Sequence, residues 1–320
     1  MNRKCLLAWI IALAAVTAGG ELAAQQSEYP SRTIRIVMPF GAGGTVDGSA
    51  RLIAEAVSKS LRVAVIVENR AGGGGSVGTA EVAKAAPDGY TLLFGSPLPI
   101  LFATRRNLPF TEDSFAAVAP VNKFGHVLAA ALTVPKPMPS FIAYAKDNPG
   151  KLNYATTGFG GVTHLGTELF LRAAGIKAVP IHYKGNAEAM TALLAGDVHF
   201  MLVSPLLALR QGGKLEVLAA MDVKRSPWFP AIASMADLGY RDLAVEIVNG
   251  VMVPRGTPEV IIDKLNEHIG IALRNPDMIK RLSNMGTEVV FSTPGEYAAS
   301  LAGEIKRWHG VVRDAGLELQ

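Results

Sequence analysis

The chain has 320 residues, 49% of them hydrophobic, with 31 lysines and arginines against 27 aspartates and glutamates, for a formal charge of +4. That basic excess is spread thinly, with no lysine–arginine stripe beside stacking aromatics, which argues against a nucleic-acid partner. The single cysteine, Cys5, excludes a disulfide framework and a cysteine–zinc centre.

Arg3 and Lys4 precede an apolar run from Cys5 to Ala18, then Gly19, Gly20 and the small residues around Ala23 and Ala24. A short basic segment, an apolar stretch too short to span a bilayer and small residues after it describe a secretory signal peptide over 1–26. Its removal leaves an exported chain without a thiol, suited to a bacterial periplasm. Roughly two domains' worth of chain remains, and no later apolar run approaches the ~20 residues of a membrane span.

Strand-length apolar runs then alternate with helical patterns. The runs "IRIVMP" (34–39), "AVIVE" (64–68), "TLLFG" (91–95), "NYATT" (153–157), "VPIHY" (179–183), "HFMLVS" (199–204) and "LEVLAAM" (215–221) read as buried strands. Leu52, Ile53, Ala56, Val57 and Leu61 have helical spacing after the first of them. The alternation predicts α/β layers with mostly parallel sheets. From Thr257 the chain reads as helical, with Thr257–Pro258, Asn275–Pro276 and Thr293–Pro294 as three start signals.

Three times a strand runs into a glycine-rich turn that opens a helix: "IRIVMPFGAGGTVDGSARL", "VAVIVENRAGGGGSVGTAEV" and "LNYATTGFGGVTHLGTELFL". Helix N-termini carry unpaired N–H groups and partial positive charge, and glycine lets a ligand approach the backbone. Each turn is therefore a potential anion seat, and three in one chain point to a shared ligand.

Catalytic readings of these turns fail one by one. Gly73, Gly75 and Gly78 spell the dinucleotide fingerprint, but the next strand ends in Gly95–Ser96, where the ribose-binding acid belongs. Gly74, Ser76 and Gly78 spell a nucleophile elbow, yet "NRAGGGG" separates Ser76 from its strand, and Ser76 is expected to cap a helix running through Ala86. The late histidines His268 and His309 lie in helical segments among charged residues. The six histidines lack metal-ligand spacing, and no Gly-Lys-Ser/Thr follows any glycine run. Neither catalysis, cofactor nor metal is expected; recognition remains.

The ordered set "YPSRTIRIVMPFGAGGTVDGSARL", "VENRAGGGGSVGTAEVAKAAPDGYTLLFGS", "NPGKLNYATTGFGGVTHLGTELF", "VPIHYKGNAEAMTALLAGDV", "VPRGTPEVIIDKLN" and "IKRWHGVVRDAG" resembles the periplasmic solute receptors of tripartite tricarboxylate transporters, also called the Bug family. The resemblance covers essentially the whole exported chain. It implies a two-lobed α/β periplasmic binding protein of type II, each lobe a sheet flanked by helices, with two crossover strands expected at 126–134 and 245–254. Lobe one would comprise 27–124 plus 247–320, and lobe two 125–246.

In the family, ligand carboxylates are held by the first two glycine loops, directly and through ordered water. That implies binding roles for Phe40, Gly41, Gly43, Gly44, Thr45 and Asp47, and for Gly74, Gly75 and Ser76, with Asp47 expected to cap its helix. Ser96, at the C-terminal end of a strand, sits where open α/β sheets place ligand contacts. The opposite lobe would contribute Thr156, Thr157, Gly161, Lys184, Gly185 and Ser204. The implied ligand is a small carboxylate: a di- or tricarboxylate, an acidic amino acid or an aromatic carboxylate. The implied partners are membrane permease subunits, with the receptor a monomer; a ligand sensor feeding a two-component system is the alternative role. Three positions depart from the family pattern: Gly41–Ala42 replace prolines, Val248 an aromatic and His199 an acid. The change at His199 is expected to reach the far end of the pocket.

Overall fold

The computed structural model describes residues 29–241 and 243–316; the expected export segment lies outside the described residues. β1 (Ile34–Met38) is almost wholly buried, as a central strand covered on both faces must be. It leads into α1 (Thr45–Leu61), whose Ala50, Ile53, Ala54 and Val57 are buried at helical spacing. β2 (Val65–Asn69), α2 (Ser76–Ala83), β3 (Thr91–Gly95) and α3 (Leu98–Thr104) continue the alternation. β1 lies parallel to both β2 and β3.

The next strand, β4 (Phe115–Ala130), carries the chain into a second lobe built from α4 (Met138–Asp147), β5 (Leu152–Thr156), α5 (Val162–Ala174), β6 (Ala178–His182), α6 (Asn186–Ala195), β7 (Phe200–Val203), α7 (Pro205–Leu209) and β8 (Glu216–Met221). The return runs along β9 (Glu246–Pro254) to α8 (Glu259–Leu273), α9 (Pro276–Ser283), the short β10 (Glu288–Val289) and the long α10 (Pro294–Ala315). The first sheet has the order β2-β1-β3-β9-β4, and the second continues β4-β7-β5-β6; β10 and β8 also pair with β4.

β4 therefore belongs to both sheets. Phe115 to Gly125 pair antiparallel with β9, while His126 to Ala130 pair with β8. The crossover expected at 126–134 in fact begins at Phe115 and ends at Ala130, where Val134 N–H closes a turn on the Ala131 carbonyl. Pro120, Asn122, Lys123 and Gly125 disguise the first half of the strand. Pro120 sits at a register irregularity, where a missing N–H is tolerated. Asn122 is fully buried, donating to Ser49 Oγ (2.7 Å) and accepting from Asn249 Nδ2 (3.0 Å). Lys123 pairs with Glu246 on β9 at 2.9 Å.

Each lobe has its own core. Ile34, Ile36, Met38, Ile53, Phe94, Val251 and Leu265 pack in the first; Phe141, Tyr154, Leu165, Phe170, Phe200 and Leu202 pack in the second. α10, grouped by sequence order with the first lobe, reaches both. Tyr297 near its start packs with Leu93 and Met252, whereas Trp308 and Val312 pack into the second lobe's core. The Arg307 guanidinium donates through Nη1 to the Ala244 carbonyl at 3.0 Å, tying the helix to the segment before β9.

Two substitutions on α10 separate its contributions. The Tyr297 hydroxyl is buried without a hydrogen-bond partner, so Tyr297→Phe is expected to leave stability unchanged or raise it by up to about 1 kcal/mol. Trp308 is 2% exposed, and Trp308→Ala is expected to cost about 3–5 kcal/mol. Urea unfolding of both variants reads these opposite outcomes.

Candidate functional site

The C-terminal ends of parallel strands in an open α/β sheet feed the helices that follow, so ligands gather there. Loop 1 (39–44) joins β1 to α1, and loop 2 (70–75) joins β2 to α2. Loop 3 (157–161) joins β5 to α5 in the other lobe. α1, α2, α5 and α6 start on the glycine N-caps Gly44, Gly75, Gly161 and Gly185, and none of the four has a side-chain capping bond. Two helices near the end of the chain are closed by side chains: Asn275 accepts from Asp277 N–H at the start of α9, and Thr293 and Glu296 cap α10 reciprocally. The glycine starts of α1, α5 and α6 leave first-turn N–H groups without a side-chain acceptor, whereas at α2 the Ser76 and Val77 N–H groups already bond the Gly73 and Gly72 carbonyls of loop 2.

Loop 1 is braced from behind. Asp47, 4% exposed, accepts from Gly43 N–H (3.0 Å), Asn69 Nδ2 (2.9 Å) and Arg51 (3.1 and 3.2 Å). Asn69 also donates to the Phe40 carbonyl at 3.0 Å. Burial alone would raise the Asp47 pKa, but Arg51, the Gly43 N–H and Asn69 together hold it below the usual carboxylate value. Asp47 thus ties down the turn before its helix. Gly43, at φ 87°, adopts a left-handed conformation that favours glycine. A side chain on Gly41 or Gly44 would project into open space.

Loop 2 stands against loop 1. At Gly75, φ 101°, a β-carbon would lie 3.2 Å from the Phe40 ring and 3.4 Å from Pro97. Ser76 begins α2 without a side-chain capping bond, its hydroxyl folded toward Gly73, and the helix ends at Ala83. This corrects the expectation of a Ser76 cap and a helix through Ala86: glycine occupies the cap and Lys84 the end. Ser96 is half-buried at the end of β3, one residue before Pro97.

The lobes meet at the site. Thr45 Oγ1 and Ser204 Oγ, both buried, lie 3.3 Å apart, joining the starts of α1 and α7. A β-carbon on Gly160 in loop 3 would lie 3.2 Å from the Thr104 β-carbon at the end of α3. Loop 3 is internally tied: Thr163 Oγ1 accepts from Thr157 N–H at 3.0 Å, and Thr156 Oγ1 bonds His182 Nδ1 at 2.7 Å. Tyr183 N–H on the Thr156 carbonyl (2.9 Å) puts the α6 start beside loop 3. The Lys184 side chain is exposed, its own N–H bound to Glu188 within α6. Neither Lys184 nor Gly185 makes a hydrogen bond to the first lobe among the described residues.

Sequence reasoning passed over Asn69, Phe159 and His164. His164, 3% exposed, accepts from Gly160 N–H on Nδ1 at 3.0 Å, so its neutral form carries the proton on Nε2. Its ring stands edge-on to His182, with centroids 5.1 Å apart, and Phe159 lies 5.1 Å from it. The position of His164, three residues into a helix opened by glycines, was the available signal. The expectation for His199 is corrected: it precedes β7, with Nδ1 accepting from Asn153 N–H at 2.9 Å, at the strand end away from the loops. Among the described residues no cluster of three or more metal-ligating side chains occurs.

The family model for the tripartite tricarboxylate transporter family receptor matches residues 49–317. Protein BugT of Bordetella pertussis is 37% identical over 331 aligned residues, spanning 100% of both chains. Among solved structures, MatC from Rhodopseudomonas palustris with bound malate has a TM-score of 0.81 at 32% identity, covering 89% of this chain and 100% of its own. A second R. palustris protein, with adipate, has a TM-score of 0.86 at 28% identity, covering 92% and 100%.

Two buried imidazoles make stability pH-dependent. Burial holds His126 at about 4 although its Nδ1–H donates to the Val245 carbonyl, and burial followed by nearby His182 holds His164 at about 4. The unfolded chain, with imidazoles near ~6.5, binds protons more readily than the folded one below that pH. Stability is therefore full above pH ~6.5 and falls toward pH 4, with Asp47 adding its loss below its unfolded value near ~3.9. Urea unfolding from pH 7.5 to 4 is expected to show this decline, shallower in His126→Gln; a flat profile would contradict the assignment.

Proposed function

The chain belongs to the tripartite tricarboxylate transporter receptor family, a non-catalytic carboxylate-binding receptor of the periplasm, and on that footing we propose how it binds and what it serves. A small carboxylate enters between the lobes and accepts hydrogen bonds from the open N–H groups at the start of α1, with loop 2 standing beside it. Thr45, Ser76 and Ser96 add hydroxyl donors, and loop 3 with Ser204 closes the far side. The receptor then hands its ligand to membrane permease subunits. The observation that carries this reading is the set of glycine-capped helix starts beside the contact between the lobes at Thr45 and Ser204.

The energetics suffice. A hydrogen bond to a charged group contributes roughly 1.5–3 kcal/mol, and a micromolar dissociation constant requires about 8 kcal/mol. A handful of donors on one carboxylate, with apolar contact from Phe40 and Pro97, covers that after association costs. Relatives holding malate and adipate support a dicarboxylate as the ligand class.

Thermal shift against several dozen small carboxylates tests the proposal. A ligand at a hundred times its dissociation constant is expected to stabilise by about 2.7 kcal/mol. Gly44, with φ −84° and open space at its β-position, accepts a side chain without strain. Gly44→Val is therefore expected to fold, at a capping cost of up to about 1 kcal/mol, and to lose the carboxylate by calorimetry. Stabilisation by cations or neutral sugars with none by carboxylates would overturn the reading.

A further inference from the structure

Arg105 follows the last residue of α3, its backbone N–H bonded to the Leu101 carbonyl at 3.0 Å. The preceding residue, Thr104, meets loop 3 of the opposite lobe at Gly160. The Arg105 side chain turns toward loop 2, where one terminal nitrogen lies 3.5 Å from the position a β-carbon on Gly74 would take. Its guanidinium thus lies beside loop 2, one residue along the chain from the contact between α3 and loop 3.

Its partners set it apart. Arg35, Arg51, Arg70 and Arg307 each pair with a carboxylate of the protein. Among the described residues, every other arginine without such a partner is exposed, and Arg105 alone is half-buried. A guanidinium partly removed from water needs an acceptor, and its planar fork suits a carboxylate.

We infer that Arg105 is a specificity-determining residue, receiving a second anionic group of the ligand whose first carboxylate sits on loops 1 and 2. This rests on the carboxylate-receptor reading and extends it: the helix starts take one carboxylate from any ligand, while Arg105 distinguishes ligands that carry two. The division follows from chemistry. Backbone N–H groups at helix starts are neutral and fixed, whereas a guanidinium at the end of a long side chain can follow an anion whose position varies with ligand length.

Isothermal titration with succinate and adipate against butyrate and hexanoate tests it, using the wild-type protein, Arg105→Gln, Arg105→Lys and Arg106→Gln, with thermal unfolding as the check on folding. The wild-type is expected to prefer a dicarboxylate over its matched monocarboxylate. Arg105→Gln is expected to weaken that dicarboxylate roughly 10- to 100-fold and the monocarboxylate less than about 3-fold. Arg105→Lys should retain part of the preference, because charge survives without the fork, and exposed Arg106→Gln should change nothing. Equal losses for both ligand types would mark Arg105 as a brace for loop 2 and overturn the inference, as would an unchanged dicarboxylate affinity or no wild-type preference. A wild-type protein that binds none of the four but binds other carboxylates overturns the inference alone; one that binds no carboxylate overturns the receptor reading beneath it.

Discussion

A helix that begins on glycine has no side chain to accept its first N–H groups, and in this chain four such starts line the region between the lobes. By contrast, α9 and α10 begin on Asn275 and Thr293 with ordinary capping bonds, while α4 and α8 begin on Pro137 and Pro258. A serine or threonine at Gly44, where φ is −84°, would fold back onto the helix and stabilise it by about a few tenths of a kcal/mol. Glycine leaves that stabilisation for another acceptor to supply. The glycines thus leave these helix starts without a side chain that folds back onto them, which is what the proposed carboxylate site requires.

Such a site works only if the lobes keep a defined relation to one another. β4 enforces that relation by belonging to both sheets, and the buried chain Ser49–Asn122–Asn249 fixes its register on β9. Buried amides at those positions penalise a slipped pairing, which would strand them without partners. α10 adds a second link, with Tyr297 in one core and Trp308 in the other. The contact between Thr45 and Ser204 is small beside these links, so it can part without disturbing either core.

Much of this was legible in the sequence because it rests on local patterns. Strands such as Thr91–Gly95 and the glycine turns announce themselves within a few residues. What escaped was non-local. The first half of β4 carries Pro120, Asn122, Lys123 and Gly125, which read as a loop until Glu246, Asn249 and Ser49 are seen to satisfy them. Asn69 looks like a strand-end residue until its amide is found holding Phe40 and Asp47. His199 stands in a strand whose end distal to the loops is known only once parallel pairing is set. Ser76 has four glycines ahead of it, and the cap falls on the nearest, Gly75, whose φ of 101° is one that glycine adopts without strain.

Electrostatics gives a reason for bracing loop 1 as it is. Asp47 lies in the first turn of α1, the same turn whose N–H groups would face an anionic ligand. An unpaired carboxylate there would oppose that ligand, by about 1 kcal/mol even at 4 Å in bulk water and more in a drier site. Arg51 cancels the charge, one turn along the same helix, while Asn69 and the Gly43 N–H occupy the remaining acceptor positions. The carboxylate therefore shapes the loop without contributing net charge to the space in front of it. On the proposed reading, rigidity and affinity come from separate groups, Asp47 for the first and the open N–H groups for the second. That separation leaves residues farther along the rim free to decide which carboxylate is kept.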